Sequence, residues 1–320
     1  MLPRGRLLHD WRLLTLAGAL LATLAALLAP TVLRQREVRD LLLVIDVTGS
    51  MNVRDMNGLS RLAAARRAGQ DLLAALPCQS RLGLGIFTER RTFLLFEPAE
   101  VCENFAALDG AIAALDWRMA WEGDSYVARG VHSALAAAAE LKADLIFMTD
   151  GHEAPPQGGG ILEPFSPNAG ASRGLLVGIG GADPAPIPKY NEDGREIGFY
   201  GETDVPQENR MGPPPDDAPS RAGYDPRNAP WGADAASGTE HLSSMKAAHL
   251  QALAVQTSLA FVPLGPPGAL ATAVMETTRP RLVDVPVSTA PLPAAFALTL
   301  LTALFARAAL NSRQPGRLSA

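Results

Sequence analysis

The chain has 320 residues, which is enough for one large domain with attachments or for two small domains. Its formal net charge is −5 and aromatic residues make up 6% of it, so its composition gives no sign of the basic surface that nucleic-acid-binding proteins carry. We therefore expect no nucleic-acid partner.

An uncharged apolar run, residues 13–33, follows Arg4, Arg6 and Arg12. A helix that crosses a bilayer needs about 20 apolar residues, and this run has that length. A cleaved secretory signal is the alternative, but such a signal has an apolar region of about 7–15 residues and a small-x-small cleavage site. The end of the run, "LAPTVLRQ", lacks that site. We predict an uncleaved transmembrane anchor.

Predicted strands alternate with predicted helices between residues 39 and 278. The continuous apolar run 41–46 is typical of a strand buried on both faces. Further strands are predicted at 81–88, 92–97, 143–151, 173–181 and 259–264, and helices at 59–76, 103–116, 126–141 and 241–257. The alternation predicts an α/β fold with a doubly wound, mostly parallel, Rossmann-like sheet and helices on both faces.

Residues 182–238 depart from this alternation, because they are rich in Pro, Gly, Asp and Asn and show no long apolar period. A loop this long inside a compact domain is usually functional or mobile, so we interpret the segment as an insertion. Within it, residues 187–200 are predicted to form a hairpin that turns at Asp193-Gly194. We expect the stretch after Pro206 to be poorly ordered.

A second apolar run, residues 292–310, follows a predicted linker at 279–291 and has one charge, Arg307, late enough to reach the membrane surface. We predict a second transmembrane helix; a buried or surface-lying helix is the alternative. Two spans place the N-terminus (1–12) and the tail (311–320) on one side, and the flanking arginines favour the cytoplasm for both. The expected location is the bacterial inner membrane, with the central domain in the periplasm.

The chain has two cysteines, Cys78 and Cys102. In an oxidising compartment they could form a disulfide, and two free thiols are the alternative. Neither cysteine has the spacing of a zinc or redox motif.

Polar residues stand at the ends of two predicted buried strands. Asp46, Thr48 and Ser50 alternate after the first, Asp150 ends "LIFMTD", and Ser125 lies in a glycine turn before a helix. In an open parallel sheet, ligands bind beyond the carboxyl ends of the strands. Two carboxylates and three hydroxyls are hard oxygen donors that suit Mg²⁺ or Ca²⁺ and not zinc. Capping or turn formation is the alternative for the first trio alone.

The motifs "DVTGSM", "GDSYVARGV" and "FMTDG" together resemble the metal-ion-dependent adhesion site of von Willebrand factor type A (VWA) domains, over about residues 39–278. The family pattern is Asp-x-Ser-x-Ser, then Thr, then Asp. Ser125 matches the family's threonine better than Asp124 does, because of its interval to Gly130. Thr48 and Ser125 depart from the family residues but keep the hydroxyl. The resemblance implies these metal ligands: Asp46, Thr48, Ser50, Ser125 and Asp150.

Two further resemblances indicate which groups within the VWA family this chain is most similar to. "SMNVRDMNGLSRLAAAR", with Asp55 and Arg61, is similar to bacterial membrane-tethered VWA proteins of the aerotolerance type, which are encoded beside MoxR-type AAA+ ATPases. "LPCQSRLGLGIFTERRTFLLFEPAEVCENF" and "IPKYNEDGREIGFY" resemble VWA proteins of methanol-oxidation gene clusters. That resemblance implies a role in maturing a periplasmic calcium- and quinone-dependent methanol dehydrogenase.

These observations favour a membrane-anchored binding module whose metal accepts a carboxylate from a protein partner. No catalytic residues are assigned, because a hydrolase that used the metal to activate water would lack a general base besides the ligands. Two alternatives stay open: delivery of Ca²⁺ to the client enzyme, and a general envelope-stress or aerotolerance role.

Overall fold

The computed structural model describes residues 11–121, 123–156, 173–207, 216–221 and 238–312. It divides into two compact units, Glu37–Arg281 and the two chain ends (Met1–Arg36 with Leu282–Ala320). Most of the stretch after Pro206 that we expected to be poorly ordered lies outside the described residues. The same holds for the first ten residues and the last eight.

The elements follow one another from Trp11 to Ser312. The helices are α1 (Trp11–Leu27), α2 (Arg61–Ala75), α3 (Phe105–Ala113), α4 (Val127–Glu140), α5 (Ala247–Thr257), α6 (Ala269–Thr277) and α7 (Pro291–Ser312). The strands are β1 (Thr31–Val38), β2 (Asp40–Asp46), β3 (Arg81–Thr88), β4 (Arg91–Glu100), β5 (Asp144–Thr149), β6 (Gly174–Gly178), β7 (Ala185–Pro186), β8 (Pro188–Tyr190), β9 (Glu196–Phe199), β10 (Leu242–Ser243), β11 (Ala260–Pro263) and β12 (Arg281–Ser288).

The central sheet has the strand order β11-β6-β5-β2-β3-β4, and its neighbours are parallel except for β3 and β4. The prediction of a doubly wound, mostly parallel sheet is therefore confirmed. From β2 the chain builds one side of the sheet with β3 and β4, then returns to build the other side with β5, β6 and β11. The switch point thus lies between β2 and β5, where an open sheet of this type binds ligands.

The burial of strand β2 explains why its sequence carries no charge between Asp40 and Asp46. Leu41, Leu43 and Ile45 lie in the core beneath α2, α3 and α6, whereas Leu42 and Val44 lie in the core beneath α4 and α5. All five side chains are fully buried. Burial of each contributes about 1.5–3 kcal/mol, so β2 anchors both layers of helices.

The region near the insertion agrees in part with the predictions. The predicted hairpin is confirmed, because β8 pairs with β9 in antiparallel register and Gly194 takes a φ of +75° in the turn. The predicted helix at 241–257 begins later, at Ala247, because Leu242 and Ser243 pair with β7. Helix α6 is an element that the sequence reading did not predict.

The N-terminal apolar run differs from the predicted span over 13–33. Helix α1 ends at Leu27, and β1 then pairs with β12, which occupies most of the predicted linker 279–291. Pro30 cannot donate a backbone hydrogen bond, and the β-branched Thr31 and Val32 favour a strand. The 17 residues of α1 extend about 25 Å at 1.5 Å per residue, which is less than the roughly 30 Å bilayer core.

Within the part of the chain that the structure describes, one helix is long and apolar enough to cross a membrane by length and composition, Pro291–Leu310. The prediction of two membrane-spanning helices is therefore not confirmed. Helix α7 packs against α1, where Gly18 faces Leu300 closely. Large apolar side chains of α7, such as Phe296 and Phe305, are exposed.

Cys78 and Cys102 form a disulfide with a Cα–Cα distance of 5.2 Å. It joins the loop before β3 to the turn between β4 and α3. The bond therefore closes a loop through the antiparallel edge of the sheet.

Candidate metal centre

Asp46, the last residue of β2, is fully buried and accepts hydrogen bonds at both carboxylate oxygens. Its Oδ1 accepts from the Thr48 hydroxyl at 2.7 Å and from the Thr48 amide at 2.9 Å, and its Oδ2 accepts from the Thr149 hydroxyl at 2.6 Å. Thr149 reaches Asp46 because β2 and β5 run side by side, with Ile45 opposite Met148. The register of two strands thus orients the carboxylate.

Ser50 and Ser125 come from different loops. Ser50 lies in a short 3₁₀ turn, Gly49–Asn52, directly after Thr48. Ser125 lies before α4, and its backbone exchanges two hydrogen bonds with that of Ala154. The Oγ atoms of Ser50 and Ser125 are buried, and neither has a hydrogen-bond partner among the described residues. An unpaired buried polar atom costs about 1–3 kcal/mol, so two of them in one place indicate a ligand site.

Asp150 follows β5 directly and is fully buried, but its surroundings differ from those of Asp46. Its Oδ1 accepts from the His152 amide at 3.0 Å. Its Oδ2 accepts from the Ser243 hydroxyl at 3.2 Å and from the Arg61 guanidinium at 2.6 Å. Both oxygens of Asp150 are therefore engaged, and its charge is compensated by a buried cation.

Burial raises the pKa of Asp46 to about 7, and the negative charge of Asp150 adds to this effect. The hydrogen bonds from Thr149 and Thr48 oppose the shift but do not cancel it. Burial also lowers the pKa of the neighbouring His152, so this imidazole is neutral at neutral pH. Asp46 is thus a carboxyl group that a nearby cation would hold in its ionised form.

A cleft of about 440 Å³ opens beside these residues. The hydroxyl-bearing residues Thr48, Ser50 and Ser125 line this cleft. Its other lining residues include the aromatic and aliphatic side chains of Trp117, Trp121, Ile187, Tyr200 and Val205 and the acidic side chains of Asp124, Asp204 and Glu240. The cleft therefore combines hydroxyl oxygen donors with aromatic, aliphatic and acidic side chains.

The structure brings the predicted ligands to one end of the sheet. Thr48, Ser50 and Ser125 line the cleft, Asp46 is bonded to Thr48, and Asp150 is close enough to raise the pKa of Asp46. Oxygen donors of this kind, with two unpaired hydroxyls, fit a hard divalent cation.

Sequence reasoning did not find two contacts at this site, those of Thr149 with Asp46 and of Arg61 with Asp150. Thr149 directly precedes Asp150 in "FMTDG", so its position at a strand end was the available signal. Arg61 was noted only for its part in a family resemblance, and no local spacing relates it to a residue 89 positions away.

Comparison with known families identifies the part of the chain that carries these residues. Residues 41–153 match the sequence profile of the von Willebrand factor type A domain. The chain contains a VWA domain. All five predicted ligands lie within the matched VWA segment.

Solved structures with some similarity to the chain include two proteins of Bacteroides. An aerotolerance-related membrane protein from Bacteroides fragilis NCTC 9343 has 14% identity and a TM-score of 0.47, over 74% of this chain and 97% of that one. The conserved hypothetical protein BatB from Bacteroides thetaiotaomicron has 14% identity and a TM-score of 0.45, over 73% and 94%. A von Willebrand factor type A protein from Catenulispora acidiphila has 11% identity and a TM-score of 0.37, over 76% and 48%. No curated protein matched the chain.

Proposed function

We propose that this chain is a membrane-anchored, metal-dependent protein-binding module. The observation that carries the proposal is the pair of buried, unpaired hydroxyls of Ser50 and Ser125 beside a buried carboxylate at the end of β2. The residues that would hold Mg²⁺ or Ca²⁺ are Asp46, Thr48, Ser50, Ser125 and Asp150.

A bound divalent ion would supply a positive charge that accepts a carboxylate oxygen from a protein partner. The cleft wall would then contact the apolar side chains next to that carboxylate. Trp121, which lines the cleft, is 56% exposed. Exposed aromatic and aliphatic groups contribute much of the affinity at protein interfaces, while the charge contact contributes direction.

We place the VWA domain in the periplasm, anchored in the inner membrane. Helix α7 supports an anchor because it is apolar and largely exposed. The Cys78–Cys102 disulfide supports an oxidising compartment, because cytosolic thiols are kept reduced.

Our proposal for the enzyme that this protein assists rests on sequence resemblance alone. We propose an accessory role in the maturation of a periplasmic enzyme, such as a calcium- and quinone-dependent methanol dehydrogenase, together with a MoxR-type AAA+ ATPase. A general aerotolerance role has equal support from the "SMNVRDMNGLSRLAAAR" segment, and Ca²⁺ delivery is a further possibility for the same site. A deletion strain separates these proposals. Loss of dehydrogenase activity that added Ca²⁺ restores supports delivery, and loss that added Ca²⁺ does not restore supports maturation. Oxygen sensitivity with normal dehydrogenase activity supports the general role.

The metal proposal is tested by titration of the purified full-length protein with Mg²⁺ and Ca²⁺ in a calorimeter. Asp46→Ala should abolish binding without unfolding the sheet, and Ser125→Ala should weaken it less, because water can replace a neutral hydroxyl. Asp71→Ala, an acidic residue on the exposed face of α2, is the matched control and should bind as the unmodified chain does. Undiminished binding by a folded Asp46→Ala variant would contradict the proposal.

A further inference from the structure

Arg61 is the largest fully buried side chain in the described part of the chain, and it lies next to the metal centre. It is the first residue of α2, whose start is set by Ser60, because the Ser60 hydroxyl accepts a hydrogen bond from the Ala63 amide at 3.1 Å. The helix start therefore directs Arg61 into the protein. Its guanidinium then contacts Asp150 at 2.6 Å and Asp55 at 2.6 Å.

Every N–H donor direction of this guanidinium is used. Nε donates to Asp55, Nη1 donates to Asp150 and to the Ser243 hydroxyl at 2.7 Å, and Nη2 donates to Asp55 and to the Ser243 carbonyl at 2.9 Å. Gly180 makes room for it, because a Cβ at that position would lie 2.5 Å from Nε. Arg61 is thus held rigidly against one of the two carboxylates of the site.

We propose that Arg61 is a built-in cation that limits the affinity of the site for metal ions. The inference rests on the proposed function, since it concerns the same ligands. A guanidinium shared between Asp150 and Asp55 offsets part of the negative charge that would attract a cation, and it also repels the cation directly. Asp46 keeps no such counter-charge, so most of the attraction for a metal would come from Asp46. A site of this kind would load and release metal readily.

The experiment compares Arg61→Gln, which removes the charge and keeps a donor, with Arg61→Lys, which keeps the charge. Full-length protein is titrated with Ca²⁺ and with Tb³⁺, which bind to the same kind of oxygen ligands. Arg61→Gln should bind Ca²⁺ at least about tenfold more tightly, whereas Arg61→Lys should stay within about threefold of the unmodified chain. Because Coulomb repulsion scales with the charge of the ion, a tenfold gain for Ca²⁺ should become about thirtyfold for Tb³⁺.

The matched control is Arg279→Gln. Arg279 pairs with the buried Asp144 at 2.6 Å, and Asp144 begins the strand that Asp150 follows. This variant removes a similar ion pair at the opposite end of β5, so it should leave metal affinity unchanged. The difference between Ca²⁺ and Tb³⁺ separates an electrostatic effect from a positioning effect, because a purely structural change would alter the affinity for both ions by the same factor.

Each outcome decides the question. Tighter binding by Arg61→Gln supports the inference, including the case in which only this variant binds metal measurably. Equal or weaker binding by a folded Arg61→Gln variant overturns it, while binding by the unmodified chain leaves the metal-site proposal intact. If neither protein binds, both proposals fail. A variant that stays unfolded in saturating Ca²⁺ also overturns the inference, because Arg61 would then serve the fold and not the metal.

Discussion

Metal binding should depend on pH through Asp46, whose pKa is raised to about 7 by burial and by Asp150. Below that pKa a metal ion must displace the proton from the carboxyl group, so apparent affinity falls by about tenfold per pH unit. Between pH 8 and pH 5 the expected loss is about 90-fold, which follows from a single proton with a pKa of 7.

The assay is calorimetric titration with Mg²⁺ at half-unit steps of pH, repeated in buffers with different ionisation enthalpies. The buffer dependence reports the protons released, which should approach one per ion below pH 6 and approach zero above pH 8. Asp46→Asn is the control, because it has no proton to displace and should bind weakly at every pH. An affinity that stays flat from pH 8 to pH 5 would refute the reasoning.

The same pKa makes a second prediction, for the metal-free protein. The folded chain keeps a proton on Asp46 that the unfolded chain has already lost between pH 4 and pH 7. Asp46 therefore leaves stability undiminished below about pH 4 and lowers it progressively between about pH 4 and pH 7, by a few kcal/mol in all, with no further loss at higher pH. Denaturant unfolding in EDTA should show this loss, and the difference from Asp46→Asn isolates it from the other carboxylates.

Three further predictions concern the fold and the membrane. Gly130→Ala should destabilise the domain by about 1–3 kcal/mol in denaturant unfolding, because the added Cβ would lie 2.2 Å from the Phe87 ring; Gly110→Ala, with open space around it, should not destabilise it. Alkylation of unreduced, denatured protein should find no free thiol, and replacing Cys78 and Cys102 by serine should cost about 3 kcal/mol. Reporter fusions after Gly110 and at the C-terminus should lie on opposite sides of the membrane, and agreement between them would exclude the proposed anchor.

The position of the site was predictable because a short segment determines its main features. A run of five apolar residues that ends in Asp46 specifies a buried strand and places a carboxylate at its carboxyl end. The hairpin at 187–200 was predictable for the same reason, since Asp193-Gly194 encodes the turn locally. The extent of α1 was predicted incorrectly, because apolarity alone does not separate a helix from the strand that follows Pro30.

What the sequence by itself determined was the alternation of strands and helices, the two-sided burial of β2 and the oxygen chemistry at the strand ends. Each depends on residues close together in the chain. Only the tertiary structure decided which side chains contact the two carboxylates. Strand pairing brings the Thr149 hydroxyl to Asp46, and packing brings the Arg61 guanidinium to Asp150. Those partners lie 103 and 89 positions away along the chain. Their charges and hydrogen bonds act through space, so no local pattern could assign them.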